Sequence, residues 1–333
     1  MKLLMCGVGS IGERHIKNLI ALGEKDISVL RRKDVALKTT SNNLKTFTSL
    51  SDAIKSRPQV AFITNPTSLH IPLAIELVKA GCSLFIEKPL SNSLKDVKTL
   101  MRIVKKRKAV VQMGFMMRYH PAFIQIKKWI DEKTIGHPLS ARASWGEYLP
   151  SWHPWENYKN SYSSRTDLGG GPIFTLCHDI DLSVWLFGNV NNVFSLKAKK
   201  SSLGISSEDN VEILMEYING VIFELHLDYI SFPPKRTWDI IGDTGRIEFD
   251  YYNNKLTLFK RKQDRVEKLN VRYNNFDRND MFVAEIKDFI GNIKKKNNPI
   301  TDLKSGIVNL NILLSIHKSI KEKKVVNIKQ VNV

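Results

Sequence analysis

Residues 3–23 read LLMCGVGSIGERHIKNLIALG, and this stretch decides the fold of the first part of the chain. A short apolar run leads into the pattern GxGxxG at residues 7–12, and apolar residues at helical intervals follow. This order predicts a strand, a tight glycine turn and a helix. The first glycine permits the turn, the second lets the backbone approach a pyrophosphate, and the third lets the helix pack closely on the strand. A pyrophosphate would lie at the helix N-terminus, against the backbone of Gly7, Gly9, Ser10, Ile11 and Gly12.

The rest of the first 120 residues continues the alternation of apolar strands and helical segments. Helical spacing recurs at residues 69–79 and 94–106, and the predicted strands lie at 27–30, 60–64, 84–86 and 110–114. Strands that alternate with helices form right-handed crossovers and a parallel, doubly wound sheet. We therefore predict an α/β dinucleotide-binding domain of the Rossmann type over residues 1–120.

Residues 121–333 have a different pattern, in which strands dominate and Asn219-Gly220 marks a hairpin. Two helical segments close the chain, near residues 281–293 and 303–321. This pattern predicts an α+β domain over residues 121–333 with a largely antiparallel sheet. The final helix belongs to this second region in the sequence, but it could pack on the first domain.

The composition excludes several classes of protein. With 333 residues and 42% hydrophobic residues, the chain can form real cores, and no apolar run approaches the ~20 residues of a membrane span. Three scattered cysteines and a strand-like N-terminus indicate a reducing, cytoplasmic location. The net charge of +18 fits a nucleic-acid surface, a field that attracts anionic ligands, or plain compositional bias. Because no nucleic-acid-binding motif accompanies the charge, we expect neither nucleic acid nor membrane as a partner.

The residues that follow the second predicted strand bear on the choice of cofactor. An acidic side chain there would bind the ribose 2′-hydroxyl of NAD. This chain has Leu30-Arg31-Arg32-Lys33 instead. Arginines at this place can pair with a 2′-phosphate, so the sequence favours NADP(H) over NAD(H). The alternative is a basic turn in a basic protein.

Glu87-Lys88-Pro89 follows the predicted strand at 84–86. Ligands of open α/β sheets bind beyond the carboxyl ends of the strands, where a lysine can move a proton to or from a substrate oxygen. Taken alone, this tripeptide is more often a surface turn.

Four motifs in order resemble the glucose–fructose oxidoreductase / inositol dehydrogenase / MocA family: the glycine loop, Thr64-Asn65-Pro66 with His70, Glu87-Lys88-Pro89, and GFMMRY at residues 114–119. The resemblance implies an NAD(P)-dependent oxidoreductase of a sugar, a cyclitol or a nucleotide-linked sugar. It also implies that the second domain is an open sheet whose face holds the substrate and mediates oligomerisation. By this resemblance, Lys88 matches the catalytic lysine of the family. Asn65, Pro66 and His70 match positions that line the nicotinamide side of the cofactor, and Glu87 and Lys88 are further expected cofactor-binding residues.

Three glycines at 169–171 and Pro172 predict the start of a helix that runs to about Phe187. On one helix, His178 and Asp181 would share a face with Phe174 and Trp185. A helical His and Asp are often a structural hydrogen-bonded pair, whereas the resemblance implies that His178 lies beside the substrate and helps to move the hydroxyl proton. The family often places an aspartate one turn earlier, where this chain has Phe174 and Thr175.

The proton relay would therefore rest on Lys88 and His178, or on Asp181 as an orienting group. The missing aspartate could also weaken or abolish turnover. We expect no metal at this helix, because Asp179 leaves the shared face.

An aromatic segment at residues 145–162 precedes the three glycines and contains Trp152. Aromatic faces with polar tips suit a sugar, although such a loop could equally be pinned to the sheet by its own rings. Arg118, Tyr119 and Arg165 are further candidates for orienting the substrate. The segment resembles a subgroup of the family met in bacterial surface-polysaccharide biosynthesis, which implies a nucleotide-activated or keto-deoxy sugar.

The sequence thus predicts a cytoplasmic sugar oxidoreductase that binds NADP(H) and forms a homodimer or homotetramer. The alternative is an NADP(H)-binding sensor or regulatory protein without turnover.

Overall fold

The computed structural model describes residues 1–31, 44–198, 201–262 and 265–330. The strands in these ranges are β1 Leu3–Cys6, β2 Ile27–Leu30, β3 Lys45–Phe47, β4 Val60–Ile63, β5 Ser83–Ile86, β6 Val111–Met113, β7 Pro138–Gly146, β8 Val190–Lys197, β9 Asn210–Tyr217, β10 Ile222–Asp228, β11 Lys235–Gly242, β12 Gly245–Asp250, β13 Lys255–Lys262, β14 Arg265–Arg272 and β15 Val326–Asn327. The helices are α1 Ser10–Ala21, α2 Leu50–Lys55, α3 His70–Lys79, α4 Val97–Arg107, α5 Pro121–Asp131, α6 Pro172–Thr175, α7 His178–Phe187, α8 Arg278–Lys295 and α9 Leu303–Glu322. None of the described helices is both long enough and apolar enough to span a bilayer.

The chain forms two compact units. The first comprises residues 1–116 and 278–307 and contains a six-stranded sheet in the order β3-β2-β1-β4-β5-β6. Every pair in this sheet is parallel, and β1 and β4 are buried along their whole length. The strand order reverses between β1 and β4, which is the place where doubly wound sheets bind their ligands.

Helix α8 completes the core of the first unit, although it lies far along the chain. Its Ile286 and Phe289 belong to the same apolar cluster as Phe62 of β4 and Phe85 of β5. The ring centroid of Phe289 lies 5.7 Å from the ring centroid of Phe62 and 5.7 Å from that of Phe85. A segment some 200 residues downstream of the sheet therefore covers one side of it.

The second unit comprises residues 117–277 and those from 308 onward, around a nine-stranded sheet. Its strand order is β14-β13-β12-β11-β7-β10-β9-β8-β15, and within it β7 and β10 run parallel while the other pairs are antiparallel. The predicted fold class, a parallel Rossmann sheet followed by an α+β part with a largely antiparallel sheet, is thus confirmed.

Aromatic side chains hold helix α5 on the second sheet. Phe123 of α5 meets Trp238 and Phe249 edge-on, at centroid distances of 5.5 and 5.3 Å. The helix begins at Pro121 because His120 caps it, its Nδ1 accepting a bond from the backbone N–H of Ala122. Burial, and then the nearby Arg236, lower the pKa of His120 to about 3, so this cap is a neutral imidazole.

The prediction of one helix from Pro172 to Phe187 is wrong. The structure has a short helix, α6, that ends at Thr175, and a separate helix, α7, that starts at His178. The Thr175 hydroxyl donates to the carbonyl of Gly171, and back-bonding of this kind bends helices. Phe174 consequently does not share a helix face with His178, and its ring stacks on His317 at 4.8 Å.

Candidate active site

The glycine loop of the first unit is fixed by contacts with the end of β4. Gly7 has a φ of +98°, and a Cβ there would stand 2.8 Å from the backbone nitrogen of Asn65. A Cβ on Gly12 would stand 2.5 Å from the carbonyl oxygen of Gly7. The Thr64 hydroxyl donates to that same oxygen at 2.7 Å. Both outer glycines are therefore required by close approach within the protein.

Gly9 differs, because a Cβ built on it would meet no described atom within 4 Å. It is the N-cap residue of α1 and, being a glycine, supplies no side-chain cap to the first N–H groups of the helix, which are the groups that bind anions at helix N-termini. In addition, Oδ1 of Asn65 is buried and lacks a hydrogen-bond partner among the described residues. An open backbone cradle, an uncapped helix and an orphaned amide oxygen fit a bound dinucleotide. Gly9 and Ser10 are exposed, and Ile11 is half-buried.

We expect Gly9→Ala to weaken dinucleotide binding at least tenfold without destabilising the protein. Its φ of −85° is available to alanine, and the space that the new methyl group would occupy is the space for the pyrophosphate. Fluorescence titration and thermal melts separate the two effects. Gly12→Ala is the matched control, since its methyl group meets backbone and should lower the melting temperature. An unchanged affinity in Gly9→Ala would contradict this placement of the pyrophosphate.

His70 contacts the backbone of two segments near the glycine loop, one after β4 and one after β5. Its Nε2 lies 2.8 Å from the carbonyl oxygen of Asn65, and its Nδ1 lies 3.0 Å from that of Pro89. Burial lowers the pKa of His70, and the two carbonyls oppose that effect. Pro66, between the loop and the helix, is exposed. His70 thus ties the end of β4 to the Glu87-Lys88-Pro89 segment.

Glu87 and Lys88 follow β5 directly, and the Lys88–Pro89 peptide is cis. The backbone N–H of Lys88 donates to Oε2 of Glu87 at 3.2 Å, and Lys88 is half-buried. Oε1 of Glu87 lies 2.7 Å from Nε2 of His15 on α1. The segment therefore begins at the carboxyl end of a central strand, as predicted.

Arg31 follows β2 at the same edge of the sheet. Its backbone N–H donates to the carbonyl of Phe47, while the carbonyl of the preceding Leu30 accepts from the N–H of Gly7. Arg31 thus lies beside the glycine loop. Arg32 lies outside the described residues.

In the second unit, His178 is the first residue of α7 and is 3% exposed. Its ring stacks on Trp145 of β7, with centroids 6.0 Å apart. The guanidinium of Arg236 also lies over the Trp145 ring, at 3.8 Å, and Nη2 of Arg236 donates to Asp179 at 2.9 Å. Asp179 also accepts a bond from Trp238. A tryptophan therefore flanks the imidazole, and a buried ion pair packs on that tryptophan.

Arg118 and Asp181 are paired with each other. Two bonds of 2.9 and 2.6 Å join the guanidinium to the carboxylate, and both side chains are buried. Burial raises the pKa of Asp181, and the charge of Arg118 works against the rise. Arg118 also lies over the ring of Trp185 at 5.7 Å, and the half-buried Tyr119 follows it in a 3₁₀ turn.

The two remaining predicted substrate residues lie in contrasting environments. Trp152 is half-buried and meets Tyr229 edge-on at 5.4 Å, and its indole Nε1 has no hydrogen-bond partner among the described residues. A buried N–H donor of this kind suits a ligand oxygen. Arg165 is exposed and forms a two-bonded ion pair with Asp167.

The structure thus gathers the predicted cofactor residues of the described chain at one edge of the first sheet. Among the predicted residues of the second unit, Arg118 and Asp181 pair with each other and His178 stacks on Trp145. Trp152 and Arg165 lie in the segment between β7 and α6. Arg236 and Trp145 were not predicted as site residues. Trp145 stood in the aromatic segment, but no local pattern linked it to a histidine 33 positions further on.

A glycine loop at the switch point of a parallel sheet places the first unit in the class of NAD-binding Rossmann proteins. Residues 1–115 match the model of an oxidoreductase family with this NAD-binding fold, and residues 123–248 match the GFO/IDH/MocA C-terminal domain. The chain belongs to the GFO/IDH/MocA family of oxidoreductases, which confirms the family resemblance.

The similar proteins include several dehydrogenases. The inositol 2-dehydrogenase of Salmonella typhimurium is 28% identical over 66% of this chain, which covers 65% of that enzyme. The myo-inositol 2-dehydrogenase of Thermotoga maritima is 24% identical, with 99% of both chains covered. A levoglucosan dehydrogenase solved with NADH and levoglucosan superposes with a TM-score of 0.88 at 20% identity, with 99% of both chains covered.

Proposed function

We propose that this protein is an NAD(P)-dependent dehydrogenase or reductase of a sugar or a nucleotide-linked sugar. The observation that carries the proposal is the glycine cradle at the switch point, with Lys88 at the end of a nearby strand of the same sheet. The names of the similar proteins, inositol and levoglucosan dehydrogenases, support a polyhydroxylated substrate. They lend no support to a sensor without turnover.

Within this proposal, Lys88 moves the proton of the substrate hydroxyl, and His178 is the second acid–base group. The chemistry supplied by a bound dinucleotide is hydride transfer at its nicotinamide ring. Trp152 offers an N–H donor to a sugar oxygen, and Arg118, Tyr119, Arg165 and Asp181 remain proposed orienting groups. Correct placement of these groups supplies much of the expected rate.

A substrate panel tests the proposal. Cyclitols, anhydrosugars and nucleotide-linked sugars are each incubated with NAD⁺ and with NADP⁺, and reduced nicotinamide is followed by absorbance. Turnover of at least one polyhydroxylated compound is the expected result. Binding of dinucleotide without turnover of any compound in either direction would contradict the proposed function.

We further propose that NADP(H) binds more tightly than NAD(H), on the basis of Arg31 beside the glycine loop and of Arg32 in the sequence. An arginine can pair with the 2′-phosphate, and one such charge-assisted pair is worth about 1.5–3 kcal/mol. We expect NADPH to bind at least tenfold more tightly than NADH. In Arg31→Gln, the difference between the two dissociation constants should be smaller. Since the solved levoglucosan dehydrogenase holds NADH, fluorescence titration with both dinucleotides is the direct measurement. Equal affinities would contradict this preference.

A role in surface-polysaccharide biosynthesis, a cytoplasmic location and a homodimer or homotetramer complete the proposal. Exposed apolar side chains on one face of the second sheet support self-association, among them Leu196, Leu214, Ile222 and Ile241. Light scattering of the full chain tests the oligomeric state, and a monomer at micromolar concentration would contradict it.

A further inference from the structure

Three ionisable side chains meet in the interior of the first unit, and the proposed mechanism assigns none of them a proton. One ring nitrogen of His15 and one carboxylate oxygen each of Glu87 and Glu285 lie within 4.8 Å of one another. They come from α1, from the end of β5 and from α8. His15 and Glu285 are fully buried, and Glu87 is 8% exposed.

Glu285 is the unusual member of this triad. Neither of its carboxylate oxygens has a hydrogen-bond partner among the described residues. Its own backbone carbonyl is occupied by the Gln112 amide, which donates to it at 2.8 Å. Burial, and then the neighbouring Glu87, raise the pKa of Glu285 well above its usual range. The repulsion between two buried carboxylates at this separation favours the protonated form of Glu285.

Glu87 is confined on three other sides. His15 Nε2 lies 2.7 Å from Oε1, and the backbone N–H of Lys88 donates to Oε2 at 3.2 Å. A Cβ on Gly114 would stand 2.9 Å from Oε2, so this glycine leaves just enough room for the carboxylate. The carboxylate therefore connects the helix of the glycine loop to the segment that carries Lys88.

The surroundings favour a proton over a metal ion. The His15 ring packs against Phe85, Phe62 and Phe282 at centroid distances of 4.9, 5.7 and 6.0 Å. A structural zinc site uses four protein ligands, often thiolates, whereas the described residues offer three ligands and no thiolate here. An apolar wall around two acids and an imidazole instead stabilises a neutral acid beside one carboxylate.

We propose that His15 and Glu285 are positioning residues: Glu285 keeps a proton beside Glu87, His15 bonds the Glu87 carboxylate, and together they fix that carboxylate behind Lys88. The groups that face Glu285 are His15 from α1, Glu87 from the end of β5 and Gln112 from β6. Helix α8 is itself held on α1, where Asn279 exchanges hydrogen bonds with Asn18. The triad thus links the dinucleotide loop, the lysine segment and a helix from the end of the chain.

The first experiment tests whether Glu285 is protonated in the folded protein. It needs no substrate, so its outcome does not depend on the proposed function. A neutral Glu285 in the folded state binds one proton more than in the unfolded state, where its pKa is about 4.3. Stability then falls as pH rises above that value, and the unfolding constant gains about a factor of ten per pH unit from this group. Denaturant titrations from pH 5 upward should show this component in the wild type and not in Glu285→Gln.

The matched control is Glu76→Gln, on α3, because Glu76 is exposed and paired with Lys79. The control should keep the pH dependence of the wild type. Infrared difference spectra give a second measure that does not depend on reversible unfolding. They should show a protonated carboxyl band at neutral pH that is lost in Glu285→Gln and kept in Glu76→Gln. The proposal would be overturned if the wild type and Glu285→Gln had the same pH dependence of stability and the same carboxyl band. A stoichiometric divalent ion in the purified protein would also overturn it.

The positioning arm rests on the proposed role of Lys88 and uses kinetics. Glu285→Ala should lower kcat at least tenfold and change the dinucleotide Kd less than threefold, since small displacements of a reacting group are costly. Glu285→Gln, which keeps the size and a neutral donor, should restore most of kcat. Equal kcat in wild type and Glu285→Ala would overturn the positioning role. Failure of the proposed function is recognised earlier, because the wild type itself would then turn over no compound.

Discussion

Replacing Lys88 with methionine should lower kcat about 100- to 10,000-fold while leaving the dinucleotide bound. The substitution keeps much of the length of the side chain and removes the ammonium group that, in the proposed function, exchanges a proton with the substrate hydroxyl. Positioned acid–base groups contribute rate factors of this size. The backbone bond from Lys88 to Glu87 involves the main-chain N–H, so the local conformation is expected to survive the change.

Two measurements check this prediction. Steady-state kinetics with the substrate found by the panel give kcat, and fluorescence titration gives the dinucleotide Kd, which should stay within about threefold of the wild type. Lys95→Met is the matched control, because Lys95 is an exposed lysine of the same region and should leave both quantities unchanged. Turnover by Lys88→Met at the rate of the wild type would refute the assignment of Lys88.

Replacing Arg236 with methionine should destabilise the protein by about 3–5 kcal/mol, the usual result of removing one partner from a buried ion pair. The side chains of Arg236 and Asp179 are 3% and 1% exposed, respectively. Burial raises the pKa of Asp179, and the charge of Arg236 works against that rise. Without the arginine, Asp179 stays buried and takes up a proton in the folded state.

The sign of the pH effect follows from this proton. When the folded state binds a proton that the unfolded state has lost, stability decreases as pH rises above the unfolded pKa of about 3.9. The destabilisation of Arg236→Met should therefore be larger at pH 8 than at pH 5, as measured by denaturant unfolding at both values. A loss of stability that stays constant across that range would contradict the uptake of a proton by Asp179 in the variant.

Arg246 on the neighbouring strand provides the matched control. It also binds two carboxylates, Asp239 and Glu248, but its side chain is 48% exposed. Exposed pairs contribute about 0–1 kcal/mol, so Arg246→Met should have a small effect. Arg236→Lys should recover only part of the loss, because a lysine lacks the planar group that lies over Trp145.

The sequence predicted those parts of the molecule whose signals are local. The glycine loop, the following helix and the alternating strands of the first unit occur close to their predicted positions, because each depends on a few neighbouring residues. Strand β14 was not predicted, since its side chains are exposed on both faces and its sequence, RVEKLNVR, lacks the alternation of a half-buried strand. An alternating pattern of apolar residues indicates that one face of a strand is buried, and almost all side chains of β14 are exposed.

The candidate site was less predictable, for a related reason. Lys88 and His178 were identified by motifs. Trp145, which stacks on His178, comes from β7, and Arg236, which lies over Trp145, comes from β11, so neither shares a sequence spacing with the histidine. The break between α6 and α7 depends on a hydroxyl bond that helical periodicity does not reveal. Likewise, Glu285 has the sequence context of an ordinary amphipathic helix, and its burial beside Glu87 follows from a contact across 198 positions.

The separate start of α7 has a consequence for how such a protein could diversify. Trp145 and Arg236 belong to strands, and His178 begins its own helix, so all three are set by elements outside the loop of residues 147–171. That loop, built of short 3₁₀ turns, carries Trp152 and Arg165. Under the proposed substrate roles of Trp152 and Arg165, insertions, deletions or whole replacements in this loop would alter substrate preference, while Trp145, Arg236 and the start of α7 are inherited unchanged. The fold thus separates the part of the second unit that evolution can vary from the part that it must keep.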